Sequence, residues 1–375
     1  MPVRIIEVGD KRGKNRFIDV PWRIYPGRYP QWVPPLRVER RDFLNPRKNP
    51  FFEHADVRLF LAEDERGGCC GRIAGIINHN HNAIYGDKTG FFGLFECVED
   101  DAVAGALFGA AAGFLKAGGL EVMRGPMNMC VNDDIGLLVN GFDHPPMIMM
   151  PYNPPYYEKL IAGLGFHPVM NLLAYYSETP SGHPPAYLER GVKLARQKYG
   201  FSVRKVNMRN YDGEVRRIQN VYNSAWAENW GAVAMTDKEF IHLAKDLKTV
   251  VDPDLCLIAE VDGEIAGFSL SLPDINQALI HLNGRLFPFG VFQLLWHKRR
   301  INAIRIITMG VLKKFRHMGI DACFYCETYQ NAYAKGMFRG EASWILESNT
   351  TMNRALEKMG FQVYKTYRLY DLALS

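Results

Sequence analysis

Short apolar runs alternate along this chain with longer stretches that have the length of helices. The run 306–311 is continuous and apolar, as in a buried strand, and the stretch 322–335 follows it as a helix. The same alternation recurs from end to end, so the pattern predicts an α/β fold. The predicted strands are 3–8, 57–62, 71–78, 90–97, 121–127, 170–177, 201–206, 255–260, 264–272, 306–311, 343–347 and 362–369.

The two halves of the chain share one order of predicted elements. Each half has a hairpin before a strand–helix–strand segment, and each contains a helix that ends on Gly-Phe, at 165–166 and 360–361. A repeated element order predicts two copies of one domain. We place the domains at 1–178 and 201–375, joined by a linker at 179–200 that begins with a Pro-rich segment.

Composition narrows the class of protein. The chain has 375 residues, of which 47% are hydrophobic and 23% charged, which suits two globular domains with sizeable cores. A net charge of +5 is too small to argue for a nucleic-acid partner. No apolar run is long enough to span a membrane, and the N-terminus lacks the apolar region of a signal peptide. We therefore expect a cytoplasmic protein.

Cysteine and histidine residues indicate no metal site. The seven cysteines are scattered, and Cys323-x-x-Cys326 lies in a predicted helix with no second pair, which favours core packing. His79 and His81 stand in a predicted loop without a carboxylate or thiolate at ligand spacing. We predict no bound metal.

A basic turn with a glycine, 313–321, connects the strand 306–311 to the helix that follows. The free N–H groups and the positive dipole end of a helix N-terminus favour an anion such as a pyrophosphate. Gly319 would let the backbone approach the anion, and Arg316 would add charge-assisted hydrogen bonds. Basic strand-to-helix turns are common, so this motif alone is a weak signal.

The residues after the turn make the motif more specific. Asn349 begins the next predicted helix, and that helix ends on Gly-Phe. This arrangement resembles the GNAT superfamily of acyl-CoA N-acyltransferases, and the resemblance covers 311–361. The matching positions are Val311, Arg316, Gly319, Asn349, Gly360 and Phe361.

The resemblance implies two tandem GNAT-like domains, each a mixed, mostly antiparallel sheet flanked by helices. It also implies acetyl-CoA or a longer acyl-CoA as a substrate bound in the second domain, although Asn349 could instead only cap its helix. Lys313 replaces the family's Pro, Asp321 a Gly or Ala, and Leu356 a Tyr that often protonates the leaving thiolate. The acyl-CoA-binding residues that the resemblance implies are Met309, Gly310, Val311, Lys314, Arg316, His317, Met318, Gly319, Ile320 and Asn349.

The first half lacks this basic turn. Its corresponding strand runs into the segment 95–101, which carries four carboxylates and no glycine. An acidic turn is the opposite of what a pyrophosphate needs. We expect the first domain to be degenerate, without acyl-CoA binding.

Catalysis of N-acyl transfer needs a base for the amine and a proton for the leaving thiolate. Glu347, at the end of a predicted strand, is the candidate base, and the alternative is a surface carboxylate. Because Leu356 cannot donate a proton, tyrosines on the last strand are the other candidates. Tyr367 and Tyr370 are predicted in this role, with packing as the alternative.

An unusual stretch runs from Leu286 to Trp296, bulky and apolar, and is followed at once by His-Lys-Arg-Arg. Such a stretch suits an acyl-chain tunnel or a contact with a membrane surface, and the alternative is an insertion packed on the core. The tandem form with the segment 152–157 resembles a bacterial group, some of whose members are proposed to N-acylate long-chain lipid amines.

These observations predict an N-acyltransferase that moves an acyl group, short or long, onto an amine, which could be a lipid amine. Acyl-CoA is the predicted donor, and an acyl-carrier protein is the alternative donor. The rival hypothesis is a non-catalytic protein that keeps the fold to bind a lipid or an acyl thioester. Asp321 and Leu356 favour the rival, and Arg316 and Gly319 favour the enzyme.

Overall fold

The computed structural model describes residues 3–179, 183–226 and 229–374. The strands are β1 (Arg4–Glu7), β2 (Ala55–Glu63), β3 (Cys69–Asn78), β4 (Thr89–Cys97), β5 (Val122–Gly125), β6 (Leu137–Asn140), β7 (His167–Glu178), β8 (Ser202–Lys205), β9 (Cys256–Val261), β10 (Glu264–Pro273), β11 (Ala303–Val311), β12 (Arg339–Leu346) and β13 (Gln362–Ala373). The α-helices are α1 (Lys11–Asp19), α2 (Pro21–Ile24), α3 (Arg37–Phe43), α4 (His79–Tyr85), α5 (Asp101–Ala117), α6 (Tyr157–Gly163), α7 (Ala186–Tyr199), α8 (Tyr211–Trp226), α9 (Asp237–Leu247), α10 (Asn276–Leu279), α11 (Gly290–Lys298), α12 (Ile320–Ala334) and α13 (Thr350–Lys358).

The chain folds into two compact units that do not follow chain order. The first unit comprises Met1–Leu173, Ala278–Trp296 and Tyr364–Ser375, and the second comprises Ala174–Gln277 and His297–Val363. The sequence prediction placed all of 201–375 in one domain. The end of the chain joins the first unit because β13 pairs there with β5 and β6.

The sheet of the first unit has the order β1-β2-β3-β4-β5-β13. Its pairs are antiparallel except for β4 and β5, which are parallel and are connected by α5. Helix α5 packs its apolar side chains on this sheet. A cluster of three rings fixes the contact, with centroid distances of 4.9 Å for Phe92–Phe108, 5.3 Å for Phe92–Phe166 and 5.0 Å for Phe108–Phe166.

The second unit repeats the arrangement with the order β8-β9-β10-β11-β12. Its pairs are antiparallel except for β11 and β12, which are parallel and are connected by α12. One core, with Phe324 and Leu257, lies under α12, and a second core, with Phe268 and Val221, lies under α8. The predicted fold, a mixed and mostly antiparallel sheet flanked by helices in each half, is confirmed.

Two predicted loops contain helices. Residues 180–182 of the predicted linker 179–200 lie outside the described residues, but α7 occupies most of the rest. Val192 of α7 is buried against α12, and Arg196 donates to Glu327 of that helix over 2.7 Å. The predicted loop at 79–82 begins α4, because the Asn78 side chain caps the helix by accepting from the His81 N–H.

Within the three described ranges, no helix combines the length and the apolarity needed to cross a bilayer.

Candidate active site

A cleft opens in the second unit where β11 and β12 separate. The two parallel strands pair over four positions, the last of them Ile306 with Ala342. Beyond this position β11 continues to Val311 and remains paired only with β10, among the residues that the structure describes. Backbone N–H and C=O groups on the β12 side of β11 therefore face the cleft, where an extended ligand could bond to them.

A β-bulge marks the start of the cleft. On β10, Leu270 and Ser271 are neighbours, but they pair with Thr308 and Ile306 of β11, so that Ile307 is the extra residue. Bulges bend a strand and interrupt its ladder. The bend therefore coincides with the point at which β11 leaves β12, and Met309, Gly310 and Val311, which the resemblance implies as acyl-CoA-binding residues, lie beyond it.

The predicted anion turn lies directly after β11. A 3₁₀-helix, Lys313–Met318, ends at Gly319, whose φ of 74° is left-handed, and α12 starts at the next residue. In the described part of the chain, the N-cap of α12 forms no side-chain hydrogen bond. The N–H groups of that turn are consequently available to an anion.

The predicted side chains around the turn differ in their surroundings. Arg316 and His317 are exposed, and the Arg316 guanidinium donates to the carbonyls of Val311, over 3.3 Å, and Ala225, over 3.5 Å. Lys314 is exposed but forms an ion pair with Glu264. The remaining two predicted residues pack inward, since Met318 contacts the core under α12 and Ile320 is 1% exposed.

Asn349 occupies the N-cap of α13. Its side-chain oxygen accepts from the Met352 N–H over 3.2 Å. This is the capping role that the sequence analysis left open beside pantetheine binding. On the same helix, Leu356 is fully buried.

The predicted catalytic residues do not share one unit. Glu347 belongs to the second unit and is exposed in the turn after β12. Tyr367 and Tyr370 belong to the first unit and are buried. The Tyr367 hydroxyl donates to the Pro151 carbonyl over 3.3 Å, and the Tyr370 hydroxyl donates to Glu158 over 2.9 Å. Burial raises the pKa of Tyr370, so this phenol holds its proton firmly.

A buried polar cluster that the sequence analysis missed lies at the base of the cleft. Arg305 and Glu341 face each other on β11 and β12, with side chains 2% and 0% exposed and 3.5 Å between Nε and Oε1. The Arg305 Nε also donates to Ser343 Oγ over 2.8 Å, and this hydroxyl donates to Glu341. The clearest signal in the sequence was Arg305, the one charged residue of the mainly apolar strand β11.

This cluster connects a buried carboxylate to the cleft by hydrogen bonds. The positive charge of Arg305 compensates the negative charge of the Glu341 carboxylate. Without this partner, burial of the carboxylate would be energetically costly. The Ser343 hydroxyl, one residue past the last paired position, connects the carboxylate to the point at which the strands part. A buried carboxylate that hydrogen bonds hold beside a cleft is a candidate for a role in catalysis.

An apolar pocket of about 620 Å³, counted to its open mouth, lies on the α12 face of the second unit. Ile304 and Ile306 form its floor, on the face of β11 opposite to Arg305. Its walls include the start of α7 and the end of α13. One side of α12 supplies Tyr325, Thr328, Tyr329, Ala332 and Tyr333 to its lining.

The corresponding cleft of the first unit is occupied by the chain itself. There β4 and β5 pair up to Phe91 and Arg124 and then separate. Past this point the Met127 N–H donates to the Phe92 carbonyl over 2.8 Å, and Asn128 Oδ1 accepts from the Leu94 N–H over 2.6 Å. The segment after β5 thus takes the backbone groups that a ligand would need.

The helix that follows β4 is also closed to an anion. Asp100 caps α5, accepting from the N–H of Ala102 over 2.9 Å and of Val103 over 3.1 Å. Its carboxylate occupies the position that a phosphate would take at a helix N-terminus. The loss of acyl-CoA binding in the first half stays a prediction, and this cap is a contact that supports it.

Among the described residues, no group of three His, Cys, Asp or Glu side chains is arranged to hold a metal ion.

The fold and the cleft place this protein in a structural class, the GNAT N-acyltransferase fold present twice in one chain. A tandem GNAT protein from the clavulanic acid biosynthesis pathway matches 100% of this chain and 99% of its own, with a TM-score of 0.59 and 11% identity. A GCN5-related N-acetyltransferase from Sphaerobacter thermophilus matches 84% of this chain and 80% of its own, with a TM-score of 0.51 and 13% identity. At such identities the likeness shows the fold alone.

Two relatives of similar length identify the family. The chain is 39% identical over 378 aligned residues to the bacterial ceramide synthase of Caulobacter vibrioides, covering 99% of this chain and 97% of that protein. It is 37% identical over 369 residues to protein YghO of Escherichia coli, covering 96% and 93%. No family model matches the chain. The chain belongs to the family that contains these two proteins, and it is an acyltransferase-type protein.

Proposed function

We propose that this protein is an N-acyltransferase that moves a long acyl chain from acyl-CoA to the amino group of a long-chain lipid, forming an amide of the ceramide type. The observation that carries the proposal is the open cleft between β11 and β12, whose last paired residue on β11, Ile306, also lines an apolar pocket. The name of the Caulobacter relative, a ceramide synthase, supports the same acceptor class.

The donor fits the cleft in three parts. The pyrophosphate of CoA would bind at the uncapped N-terminus of α12, with Arg316 beside it. The pantetheine arm would extend along the free edge of β11, and the thioester would lie near the last paired position, at Ile306. The acyl chain would then continue into the pocket, whose floor includes Ile306 itself. An acyl-carrier protein lacks the pyrophosphate, so the uncapped helix favours CoA.

The reaction forms one C–N bond and breaks one C–S bond. The amine nitrogen attacks the thioester carbonyl, the thiolate of CoA leaves, and the proton lost from nitrogen finally resides on the sulfur. Glu341 would accept that proton through the Ser343 hydroxyl. Arg305 holds the Glu341 carboxylate in place and compensates its negative charge whenever the carboxylate is unprotonated.

The direct test is an assay of the purified protein with palmitoyl-CoA or acetyl-CoA as donor and sphinganine or a short alkylamine as acceptor. Mass spectrometry of the products should show the palmitoyl amide of sphinganine at a rate at least about 10-fold above the other three pairs. Binding of palmitoyl-CoA without turnover of either amine would favour the non-catalytic rival. Turnover only with a palmitoyl carrier protein would contradict the CoA donor.

Ala332 offers a test of where the acyl chain lies. This residue lines the pocket from α12 and is 3% exposed, so Ala332→Phe should fill the pocket. We expect kcat/KM for palmitoyl-CoA to fall by about 100-fold while that for a short acyl-CoA changes little, because only the long chain loses buried contacts. Gln330→Phe, which places the same ring on the exposed side of α12, is the control. An equal effect on both donors would contradict the placement of the acyl chain in this pocket.

A further inference from the structure

Among the described residues, the three most exposed large apolar side chains lie in α11 or just before it, and two further exposed ones follow on the same helix. Phe287 is 79% exposed, Phe289 72% and Phe292 71%, and Leu295 and Trp296 are 57% and 52% exposed. Residues 289, 292, 295 and 296 have helical spacing, so that they form one stripe, with Phe287 in the turn before it. Large aromatic side chains in such a patch usually mark an interaction site.

The patch is mounted on a firmly held segment of the first unit. The Asn283 side chain accepts from Trp22 Nε1 over 2.7 Å, and the Arg37 N–H donates to the Gly284 carbonyl over 3.1 Å. Arg37 also donates to the Asn283 carbonyl over 2.9 Å. Leu282 is buried, and Gly290 fits against the Arg285 carbonyl, where an added Cβ would come within 2.0 Å. The aromatic side chains therefore project from a segment that hydrogen bonds and packing hold in place.

The charged residues of the segment that carries the patch have a single sign. The segment 276–302 contains no Asp or Glu, whereas Arg285, Lys298, Arg299 and Arg300 are all exposed. Within the described part of the chain, no carboxylate forms an ion pair with Arg285, Lys298 or Arg299. Lys298 is the last residue of α11, and Arg299 and Arg300 follow it directly, so these cations are neighbours of the apolar stripe in the chain.

We propose that α11 and the turn before it dock the protein on an anionic lipid bilayer. Aromatic side chains favour the boundary between head groups and acyl chains, and neighbouring cations are attracted to anionic head groups. A second copy of the chain fits the patch less well, since a two-fold interface would bring the same cations of both copies together. The inference does not depend on the acyltransferase activity, although docking would give such an enzyme access to lipid amines.

Vesicle co-sedimentation tests the proposal with the full-length protein. We expect binding to vesicles of phosphatidylcholine mixed with phosphatidylglycerol, at least about 10-fold weaker binding to phosphatidylcholine alone, and a steep loss of binding as salt is raised. The triple variant Phe287→Ser, Phe289→Ser, Phe292→Ser should lose most binding to the anionic vesicles. Lys298→Gln with Arg299→Gln should reduce binding and its salt dependence together.

Two control variants separate the patch from general effects. Leu194→Ser removes an apolar side chain that is 66% exposed on α7, and Lys11→Gln with Arg12→Gln removes two exposed cations on α1. Neither should change vesicle binding. Failure to bind anionic vesicles, or equal effects of the control and patch variants, would overturn the proposal. So would a dimer in analytical ultracentrifugation that the triple Ser variant dissociates, because the patch would then be a subunit interface.

Discussion

At the scale of single residues, the surroundings of the two carboxylates on and after β12 are very different. Glu341 is fully buried and contacts Arg305 and Ser343, whereas Glu347 is exposed in a turn. A base beside a cleft needs a fixed position and protection from bulk water, and Glu341 has both. Glu347 remains the candidate that the sequence predicts, so the two can be compared directly.

Ser343→Ala tests whether the buried cluster passes a proton. Removing the hydroxyl leaves Arg305 Nε without that acceptor and should lower the free energy of unfolding by about 1–3 kcal/mol. We expect kcat of the folded enzyme to fall by about 100-fold with little change in KM for acyl-CoA. Ser343→Thr, which restores a hydroxyl, should recover much of the activity. Steady-state kinetics and thermal unfolding measure the two effects separately.

Glu347→Gln is the matched control, because it alters an exposed carboxylate of the same unit. We expect its kcat to equal that of the unchanged protein. If Glu347→Gln abolishes turnover while Ser343→Ala affects only stability, the base is Glu347 and the buried cluster is structural.

At the scale of elements, the same strand–helix–strand segment is used in two ways. In the first unit Asp100 places its own carboxylate on the N–H groups of α5. In the second unit the equivalent position is Gly319, which has no side chain to place there. The residue type at the helix start therefore decides whether the first N–H groups of the helix bond to a side chain of the protein or remain available to an anion.

Gly319→Asp should convert the second turn to the state of the first. Its φ of 74° strains any L-residue by about 1–2 kcal/mol, and the added Cβ would come within 3.2 Å of the Ala195 Cβ. Gly319→Asn carries nearly the same strain without the charge, so it is the matched control. We expect calorimetry to show at least about 10-fold weaker CoA binding for Asp than for Asn, since only the carboxylate repels the pyrophosphate. Equal affinities would mean that the pyrophosphate binds elsewhere.

The sequence predicts local elements well because their signals are local. The turn at Arg316 and Gly319 is apparent from its residues, and the apolar run of β11 is apparent from its pattern. Pairing between distant segments leaves no such signal. The pairing of β13 with β5, which moves the chain end into the first unit, depends on partners far apart in the chain. For the same reason, the sequence does not indicate that Met127 and Asn128 occupy the cleft of the first unit.

Candidate residues show the same limit. Arg305 and Glu341 are charged residues in two separate strands, and only the parallel register places them side by side. A charge in a strand could belong to an edge, so the pattern did not single them out. Tyr370 is a residue type that can donate a proton, as the predicted role requires, yet its hydroxyl donates to Glu158 within the first unit. Residue type is therefore a weaker guide than the contacts that a side chain makes.

At the scale of the whole molecule, the duplicated fold predicts unequal binding capacity. The second unit has an open cleft and an uncapped helix, and the first has neither, because Met127, Asn128 and Asp100 occupy the equivalent groups. Two folds in one chain should therefore bind one CoA. This asymmetry can be measured without knowing the acceptor.

Titration calorimetry with acetyl-CoA should give a stoichiometry of about one per chain. The double variant with Arg316→Ala and Gly319→Asp should show no heat of acetyl-CoA binding, because the first unit offers no second binding site. Asp100→Ala is the control in the first unit, and it should lower stability by about 1 kcal/mol through loss of the cap. It should leave the stoichiometry unchanged, because Met127 and Asn128 still fill that cleft. A stoichiometry of two, or binding that survives the double variant, would show that the first unit retains a working site.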